Sequence, residues 1–181
     1  MSEVERIKTA YERNRKAISL RPSIGQGTAV TKVRLRDGMA CDIEDGPWKL
    51  VADEDKGSGG NGEGPDPGVY GRAALGSCLA IGYAMSAAVL GVPFSSIEVD
   101  VEADYDARGM FDLDASVPPG WLSMRYTVRI ESAASEADVL RVLDHADAHS
   151  SLLDGFSRAL PIDRAVQISA PAQTGGRPAA R

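Results

Sequence analysis

Hydrophobic side chains follow a helical period at the start of the chain and a strand period directly after it. Residues 2–19 place their apolar side chains on one stripe between charged residues, and Ser2 begins the segment with a capping-box pattern. Residues 28–52 then alternate apolar and polar positions in three short runs separated by Asp-Gly pairs, a strong hairpin signal. We therefore expect a surface helix followed by a three-stranded meander.

A polar, glycine-rich segment separates this meander from the most apolar part of the chain. Residues 53–65 contain too few apolar side chains to pack, and they are predicted as a flexible loop. Residues 69–90 give one long helix signal, which follows the capping residue Asp66 and ends before Gly91. Arg72 is the only charged side chain in it, and small residues occur all round it. This pattern is typical of a buried helix that neighbouring elements approach closely.

Two alternating runs, residues 96–105 and 123–131, follow the long helix. The first carries acidic side chains on its outer face and the second carries Arg125 and Arg129, so these charges would pair across an antiparallel sheet. The predicted inner faces consist of Ile97, Val99, Val101, Ala103 and Tyr105 and of Met124, Tyr126, Val128 and Ile130.

Two helices, a strand and a tail complete the chain. Ser135 caps a helix that runs to about residue 149, and residues 151–159 give a shorter helix signal. Residues 164–169 have the pattern of a last strand, and the tail from Pro171 has the composition of a disordered segment. The order of elements predicts an α+β fold without the βαβ alternation of nucleotide-binding folds.

Composition and charge narrow the functional classes. The 181 residues are 43% hydrophobic, which suits one domain with a substantial core. A formal net charge of −6 argues against nucleic acid or an anionic membrane as the main partner. No apolar run approaches the roughly 18–20 residues of a membrane span. The start of the chain does not resemble a signal peptide and two cysteines make no disulfide framework, so we expect a cytoplasmic protein.

Two cysteines are the first candidates for chemistry. Cys78 lies on the long helix among apolar neighbours, where a cysteine usually acts as a small hydrophobe, and it is too far from the helix start for the dipole to activate it. A reactive thiolate there would need a cation, for which Arg34, Arg36 and Arg72 are candidates. Cys41 falls on the covered face of the meander, and we interpret it as a core cysteine.

His145 and His149 lie four residues apart on a predicted helix, a spacing at which two imidazoles can bind one metal ion. Asp138 is on the same face, but a third ligand is not apparent. We therefore interpret the pair as part of a solvated helix face and expect no metal or cofactor. The glycines of residues 53–65 lack the Lys-Ser/Thr of a phosphate loop.

The stretch PDPGVYGRAALGSCLAIGYAMSAAVL and the acidic strand that ends in DARGMF resemble the core of the OsmC/Ohr family. The likeness continues through PPGWLSMRYTVRIES and DHADAHSSLLD and covers residues 25–169, with residues 1–24 as a helical extension and residues 170–181 as a disordered tail. The resemblance implies antiparallel sheets around a long central helix, an intertwined homodimer, and active sites at the subunit interface. We predict that the N-terminal helix docks on this dimer. The resemblance also implies a role in stress response through thiol-dependent reduction of hydroperoxides, preferably organic ones.

The resemblance assigns roles to individual residues only in part. Cys78 matches the peroxidatic cysteine, which a hydroperoxide oxidises to a sulfenic acid. Ser150 stands where the resolving cysteine would be, and a serine cannot form the disulfide. The activating arginine of the family lies on an early strand, where Arg34 or Arg36 would supply it.

The family glutamate that orients this arginine would fall at Gly68 or Val69, and neither residue can replace it. Three hypotheses therefore stay open. The first is a one-cysteine thiol peroxidase that is recycled by a small thiol or a partner dithiol. The second is a catalytically impaired dimer that binds an apolar small molecule at its interface pocket. The third is a structural interaction domain with a buried cysteine.

Overall fold

The computed structural model describes residues 1–169 and confirms a mixed fold of helices and antiparallel sheets. The disordered tail that the sequence predicts over residues 170–181 lies outside the described residues. The elements in chain order are α1 (Glu3–Leu20), β1 (Lys32–Leu35), β2 (Cys41–Asp45), β3 (Trp48–Ala52), α2 (Pro67–Leu90), β4 (Ser96–Tyr105), α3 (Ala107–Met110), β5 (Trp121–Glu131), α4 (Glu136–Asp147) and α5 (Ser151–Ser157).

Helix α1 begins with the predicted capping box. The Ser2 hydroxyl accepts a hydrogen bond from the Glu5 amide, and the Glu5 carboxylate accepts one from the Ser2 amide at 2.6 Å. The helix packs along α2 of its own chain, with Ile7 and Tyr11 half-buried and no residue fully buried. Because its apolar stripe is narrow, it lies on the surface of the core and does not enter it.

Strands β1, β2 and β3 form the predicted antiparallel meander. Gly38 and Gly46 occupy its two turns with φ of 70° and 53°, the positive values for which glycine is favoured. Both faces of this sheet are mostly exposed, including the apolar face that carries Leu35, Trp48 and Leu50. The meander therefore presents apolar surface that its own chain does not cover.

The loop at residues 53–65 is held by one carboxylate, although its composition predicts a flexible segment. Asp53 is only 2% exposed and accepts hydrogen bonds from the backbone amides of Glu54, Asn61 and Glu63 at 2.8–3.1 Å. The Glu63 amide, above all, keeps the pKa of Asp53 below its ordinary value against the opposing effect of burial. Polar hydrogen bonds thus organise a loop that has no apolar core.

Helix α2 is the centre of the fold, as predicted. The Asp66 carboxylate caps its start and Gly91 ends it in the left-handed conformation. It packs against α1, α4, α5 and β4, and its buried Leu75, Leu79 and Tyr83 form the main core with the apolar faces of β4 and β5. Small residues permit this approach: a Cβ on Gly71 would lie 2.5 Å from the Trp121 ring, and one on Gly76 would lie 3.2 Å from Val101.

One stripe of α2 stays exposed within the single chain, so the complete burial that the sequence predicts for this helix is not reached. The stripe follows a spacing of four residues and consists of Val69, Ala73, Ser77, Ile81 and Met85. By length and composition alone α2 also satisfies the criteria for a membrane-spanning helix, contrary to the expectation from apolar run length. Its contacts with four neighbouring elements are those of a core helix.

Strands β4 and β5 pair antiparallel, and their outer charges form ion pairs across the sheet, as predicted. Arg125 binds Asp104 at 2.7 Å, and Arg129 binds Asp100 at 2.5 Å. The predicted inward position of Tyr105 is wrong, because this residue is 72% exposed. The register shifts between Asp104 and Tyr105, so the alternation that places the preceding residues inward ends there.

Helices α4 and α5 close the core over α2. Val142 and Ala146 of α4 are buried against it. The strand predicted over residues 164–169 is wrong for the described chain, since residues 159–169 have no regular secondary structure and Ile168 is 93% exposed. An alternating pattern specifies a strand face, but the strand also needs a neighbour that supplies its backbone hydrogen bonds.

Candidate functional site: the Cys78 thiol

The Cys78 side chain lies midway along α2 and faces the turn between α4 and α5. Its Sγ lies 3.4 Å from the Ser150 Oγ and 3.9 Å from the Ser151 Oγ. The side chain is half-buried, while Ser150 is only 8% exposed. The structure therefore brings together two of the predicted site residues, Cys78 and Ser150, which are 72 positions apart in the chain.

The Ser150 hydroxyl is positioned to act as a donor to the sulfur. Ser150 caps α5, and its Oγ accepts a hydrogen bond from the Leu153 amide at 3.3 Å. Because that amide occupies an oxygen lone pair, the hydroxyl proton is free to point to the Cys78 Sγ. The sequence identifies Ser150 only as a lost resolving cysteine, whereas the structure gives it a contact of its own.

The surroundings of Cys78 favour its thiolate form. Partial burial raises the pKa of the thiol, but the Ser150 hydroxyl, the Leu152 amide and the hydroxyl and amide of Ser151 lower it by more. The pKa of Cys78 therefore lies below the ordinary value for a cysteine. The hydrogen-bond donors come from the α4–α5 turn, which the sequence does not mark as a source of activating groups.

The candidate arginines lie elsewhere in the chain. Arg36 follows β1 and binds the carboxylates of Asp42 and Glu63, each at 2.9 Å. Arg34 lines a shallow depression on the polar face of the meander with Asp42. Within residues 1–169, the side chains hydrogen-bonded to the Cys78 sulfur are serines, so neither arginine reaches it in the single chain.

Arg36 nevertheless has an orienting carboxylate. Gly68 and Val69 donate amides to the Asp66 cap and offer no carboxylate, as the sequence indicates. Glu63 holds the Arg36 guanidinium instead, and the Asp53 carboxylate fixes the Glu63 backbone through its amide. Sequence reasoning misses Glu63 because it belongs to a loop that was expected to be flexible.

The third candidate cation, Arg72, lies near the start of α2. Its guanidinium lies close to Gly68, with Nη1 3.3 Å from the position that a Cβ on Gly68 would occupy. Arg72 also lines a wide cleft with Trp121 and Tyr105. Arg72 is six residues before Cys78 along α2, and Cys78 does not line this cleft. Arg72 is therefore placed beside an aromatic cleft and away from the thiol.

Cys41 is a poorer candidate for reactivity than Cys78. It lies on β2, is half-buried, and its sulfur contacts only the Met39 carbonyl oxygen, at 3.7 Å, among the hydrogen-bond partners within residues 1–169. A carbonyl accepts from a thiol and so does not stabilise a thiolate. Both cysteines are free.

His145 on α4 and His149 just after it each use a ring nitrogen in another contact. The Nδ1 of His145 lies 2.9 Å from the Ser86 Oγ, and the Nδ1 of His149 lies 2.6 Å from the His145 carbonyl oxygen. Their rings stack with centroids 4.6 Å apart. The described part of the chain contains no group of three or more side chains able to hold a metal ion.

A groove with mixed polar and apolar walls runs beside the thiol site between β5 and α5. It has a volume of about 430 Å³ and is lined by Leu75, Trp121, Met124, Tyr126, Leu153 and Phe156 among others. Leu75 lies one helical turn before Cys78, and Leu153 donates the amide that holds Ser150. The groove therefore shares its walls with the elements that position the thiol.

The family model for OsmC-like proteins matches residues 60–164, which contain α2, both strands of the β4–β5 sheet and the whole α4–α5 turn. The chain belongs to the OsmC-like family. Among the curated proteins no sequence matches it. The family match thus includes Cys78 and Ser150, while the meander and α1 lie before it.

Solved structures give the same fold for this OsmC-like protein. It is similar to an OsmC-like protein from Mycoplasma pneumoniae, with a TM-score of 0.63 and 11% identity over 73% of this chain and 89% of that one. It is also similar to an organic hydroperoxide resistance protein OsmC from Legionella pneumophila, with a TM-score of 0.52 and 14% identity over 72% of this chain and 89% of that one. At these identities the likeness concerns the fold.

Proposed function

We propose that this OsmC-like protein is a one-cysteine thiol peroxidase in which Cys78 reduces organic hydroperoxides. The observation that carries the proposal is the set of donors around the Cys78 sulfur, led by the Ser150 hydroxyl at 3.4 Å. Such donors favour the thiolate, which is the nucleophilic form of cysteine. Cys78 is half-buried and is therefore not sealed in the core.

The proposed reaction has two stages. The Cys78 thiolate attacks the terminal oxygen of the hydroperoxide, the O–O bond breaks, and the leaving alkoxide takes a proton to become an alcohol. Cys78 is thereby oxidised to a sulfenic acid. A small thiol then attacks the sulfenic sulfur and releases water, and a second thiol reduces the mixed disulfide and restores Cys78. Ser150 has no part in the electron transfer, so the reductant has to come from outside the chain.

A homodimer belongs to the same proposal. The exposed stripe of α2 and the apolar face of the meander leave large hydrophobic side chains in water, among them Ile81 and Trp48, which are 61% and 70% exposed. A second copy of the chain would cover both surfaces. Arg36, held by Glu63 and Asp42, is the cation that we propose the partner's meander brings to the Cys78 thiol.

The groove beside the site supports an apolar substrate. Its walls include the Trp121 and Phe156 rings, whose centroids lie 6.0 Å apart, and they offer an organic hydroperoxide contacts that hydrogen peroxide cannot make. The name of the Legionella pneumophila structure, an organic hydroperoxide resistance protein, agrees with this substrate class. We place the proposed reaction in the cytoplasm, where small thiols are available.

Intact-mass measurement tests the proposal. The reduced protein is treated with one equivalent of cumene hydroperoxide, alone and with a small thiol, and is compared with the Cys78→Ser and Cys41→Ser variants. We expect addition of one oxygen, or of one thiol when it is present, in the native protein and in Cys41→Ser but not in Cys78→Ser. An unmodified native protein, or a modification that persists in Cys78→Ser, contradicts the proposal.

The second candidate is a dimer without turnover that binds an apolar small molecule, and the groove lined by Trp121 and Phe156 favours it. In that case the mass of the reduced protein stays unchanged at moderate hydroperoxide. An apolar ligand carried through purification would then appear by native mass spectrometry, and Phe156→Ala would release it. A monomeric protein that binds no apolar ligand would favour a structural interaction domain.

A further inference from the structure

A carboxylate is clamped between two phenols beside the proposed active site. The Tyr83 hydroxyl donates a hydrogen bond to one oxygen of Asp147, and the Tyr126 hydroxyl donates one to the other oxygen, each at 2.8 Å. Tyr83 is completely buried and Asp147 is half-buried. Hydrogen bonds to a charged acceptor in such surroundings are among the strong ones in proteins.

The three residues belong to three different elements that meet next to the α4–α5 turn. Tyr83 lies on α2 five residues after Cys78, Tyr126 lies on β5, and Asp147 is the last residue of α4. Two hydrogen bonds from hydroxyls of separate elements fix the end of α4 in translation and in rotation. The end of α4 is thus attached to the same helix that carries the thiol.

The Asp147 backbone continues this attachment to the active-site turn. Its carbonyl oxygen accepts a hydrogen bond from the Ser150 amide at 3.2 Å, and the Ser150 carbonyl oxygen accepts one from Asp154 at 3.0 Å. The residues that meet the sulfur therefore follow directly from the clamped position. A small displacement of Asp147 would move the Ser150 hydroxyl away from Cys78, at a contact whose strength depends steeply on distance.

We infer that Asp147, Tyr83 and Tyr126 are positioning residues of the thiol site, which hold the α4–α5 turn at the distance where its donors stabilise the Cys78 thiolate. The inference rests on the proposed role of Cys78 as the reactive thiol.

Both phenols remain donors throughout the pH range of a thiol titration. Burial, together with the hydrogen bond and charge of Asp147, raises the pKa of Tyr126 to about 12 and raises that of Tyr83 further. Four other titratable side chains lie near this turn. His145 on α4 contacts the Ser86 hydroxyl and His149 in the turn contacts the helix backbone. Asp144 on α4 is exposed, and Asp154 on α5 is bound by Arg158. The clamp is therefore a fixed part of the fold between neutral and mildly alkaline pH.

The test measures the rate of alkylation of Cys78 by iodoacetamide as a function of pH, in a Cys41→Ser background. Tyr126→Phe and Tyr83→Phe each remove one hydroxyl and leave the ring and the charge of Asp147 in place. Tyr105→Phe is the matched control, because that phenol is 72% exposed at the far end of β4. The melting temperature of each variant reports how much stability the fold loses.

We expect Tyr126→Phe and Tyr83→Phe each to move the midpoint of the rate–pH profile upward by about half a pH unit or more. The midpoint of the Tyr105→Phe control should stay unchanged. Asp147→Asn, compared with Asp144→Asn on the exposed side of α4, separates the effect of the turn's position from the effect of the Asp147 charge. If position dominates, Asp147→Asn raises the midpoint although it removes a negative charge. Lower melting temperatures with an unchanged midpoint in both phenylalanine variants would overturn the inference.

Alkylation involves no peroxide, so this result is independent of the peroxidase test. A shifted midpoint with no hydroperoxide reaction would support the clamp and contradict the proposed function. A hydroperoxide reaction combined with a midpoint that is unchanged in Tyr83→Phe and Tyr126→Phe would support the proposed function and contradict the clamp.

Discussion

At the scale of single residues, one atom of residue 150 separates this chain from the two-cysteine pattern that the family resemblance implies. Ser150 has an oxygen where the family resemblance implies a sulfur, and that oxygen lies 3.4 Å from the Cys78 Sγ. It can donate a hydrogen bond to the thiolate but cannot be oxidised to a disulfide. A serine at this position thus offers the Cys78 sulfur a hydrogen bond and no second thiol.

Restoring the sulfur is expected to restore the internal reaction. After one equivalent of cumene hydroperoxide, Ser150→Cys should lose two hydrogens and form a disulfide with Cys78, because the two side chains already face each other. Intact mass and peptide mapping check this. The same change in a Cys78→Ser background is the control, and an oxygen adduct without a disulfide in Ser150→Cys would contradict the geometry.

Asp53 gives a prediction with a defined pH dependence. The pKa of Asp53 is lower in the folded chain than the ordinary value of 3.8, which applies to the unfolded chain. Its charge therefore stabilises the fold at pH values above 3.8, and this stabilisation is lost as the pH falls through the folded-state pKa. Asp53→Asn should therefore lower the melting temperature most at neutral pH, and the difference from the native protein should shrink in acid. Asp55→Asn, in the same loop, is the control; an equal difference at all pH values would contradict the role of the charge.

The sequence predicts the residues of the candidate site more readily than it predicts their hydrogen-bond partners. Cys78 and Ser150 are found because they stand at family positions in a row of recognisable motifs. Glu63 and Asp147 are not found, because their contacts join segments far apart in the chain and no local pattern encodes them. Buried polar partners of this kind are a property of the tertiary structure.

At the scale of elements, local chemistry explains what the sequence predicts well. Caps at Ser2, Asp66 and Ser135 and left-handed glycines at 38 and 46 fix helix starts and hairpin turns where the sequence places them. The predicted strand over residues 164–169 fails for the opposite reason, since its formation depends on a neighbour that the pattern does not name. The exposed Ile168 in that segment marks a surface left without a partner.

Helix α1 contributes stability through its contact with α2. Half-burial of Ile7 and Tyr11 is worth roughly 2 kcal/mol, which corresponds to roughly 4–8 °C in a chain of this size. Deletion of residues 1–20 should lower the melting temperature by that amount and leave the oligomeric state unchanged. An unchanged melting temperature would show that α1 does not pack on the core in solution.

At the scale of the whole molecule, the distribution of apolar surface indicates an incomplete unit. The exposed stripe of α2 and the apolar face of the meander carry large hydrophobic side chains at exposures that a monomer in water rarely tolerates together. The fold class follows from the sequence. Which faces the proposed second copy would cover does not, because periodicity records that a face is buried and not by which chain.

A charge placed on the α2 stripe tests the dimer. Ile81→Glu puts a carboxylate at the middle of the stripe, where a second copy would have to bury it, and should convert the mass in solution from two chains to one. Light scattering after size-exclusion chromatography measures this. Leu140→Glu, on an exposed position of α4, is the control; a dimer that survives Ile81→Glu would mean that α2 is not the interface.

The most direct test of the account compares the two cysteines within one chain. The reduced protein is exposed to less than one equivalent of cumene hydroperoxide in the presence of dimedone, which traps sulfenic acids, and the labelled peptides are quantified. The donors around Cys78 predict label on its peptide in large excess over the Cys41 peptide. Equal labelling of the two peptides, or label mainly on Cys41, would contradict the claim that the α4–α5 turn activates Cys78.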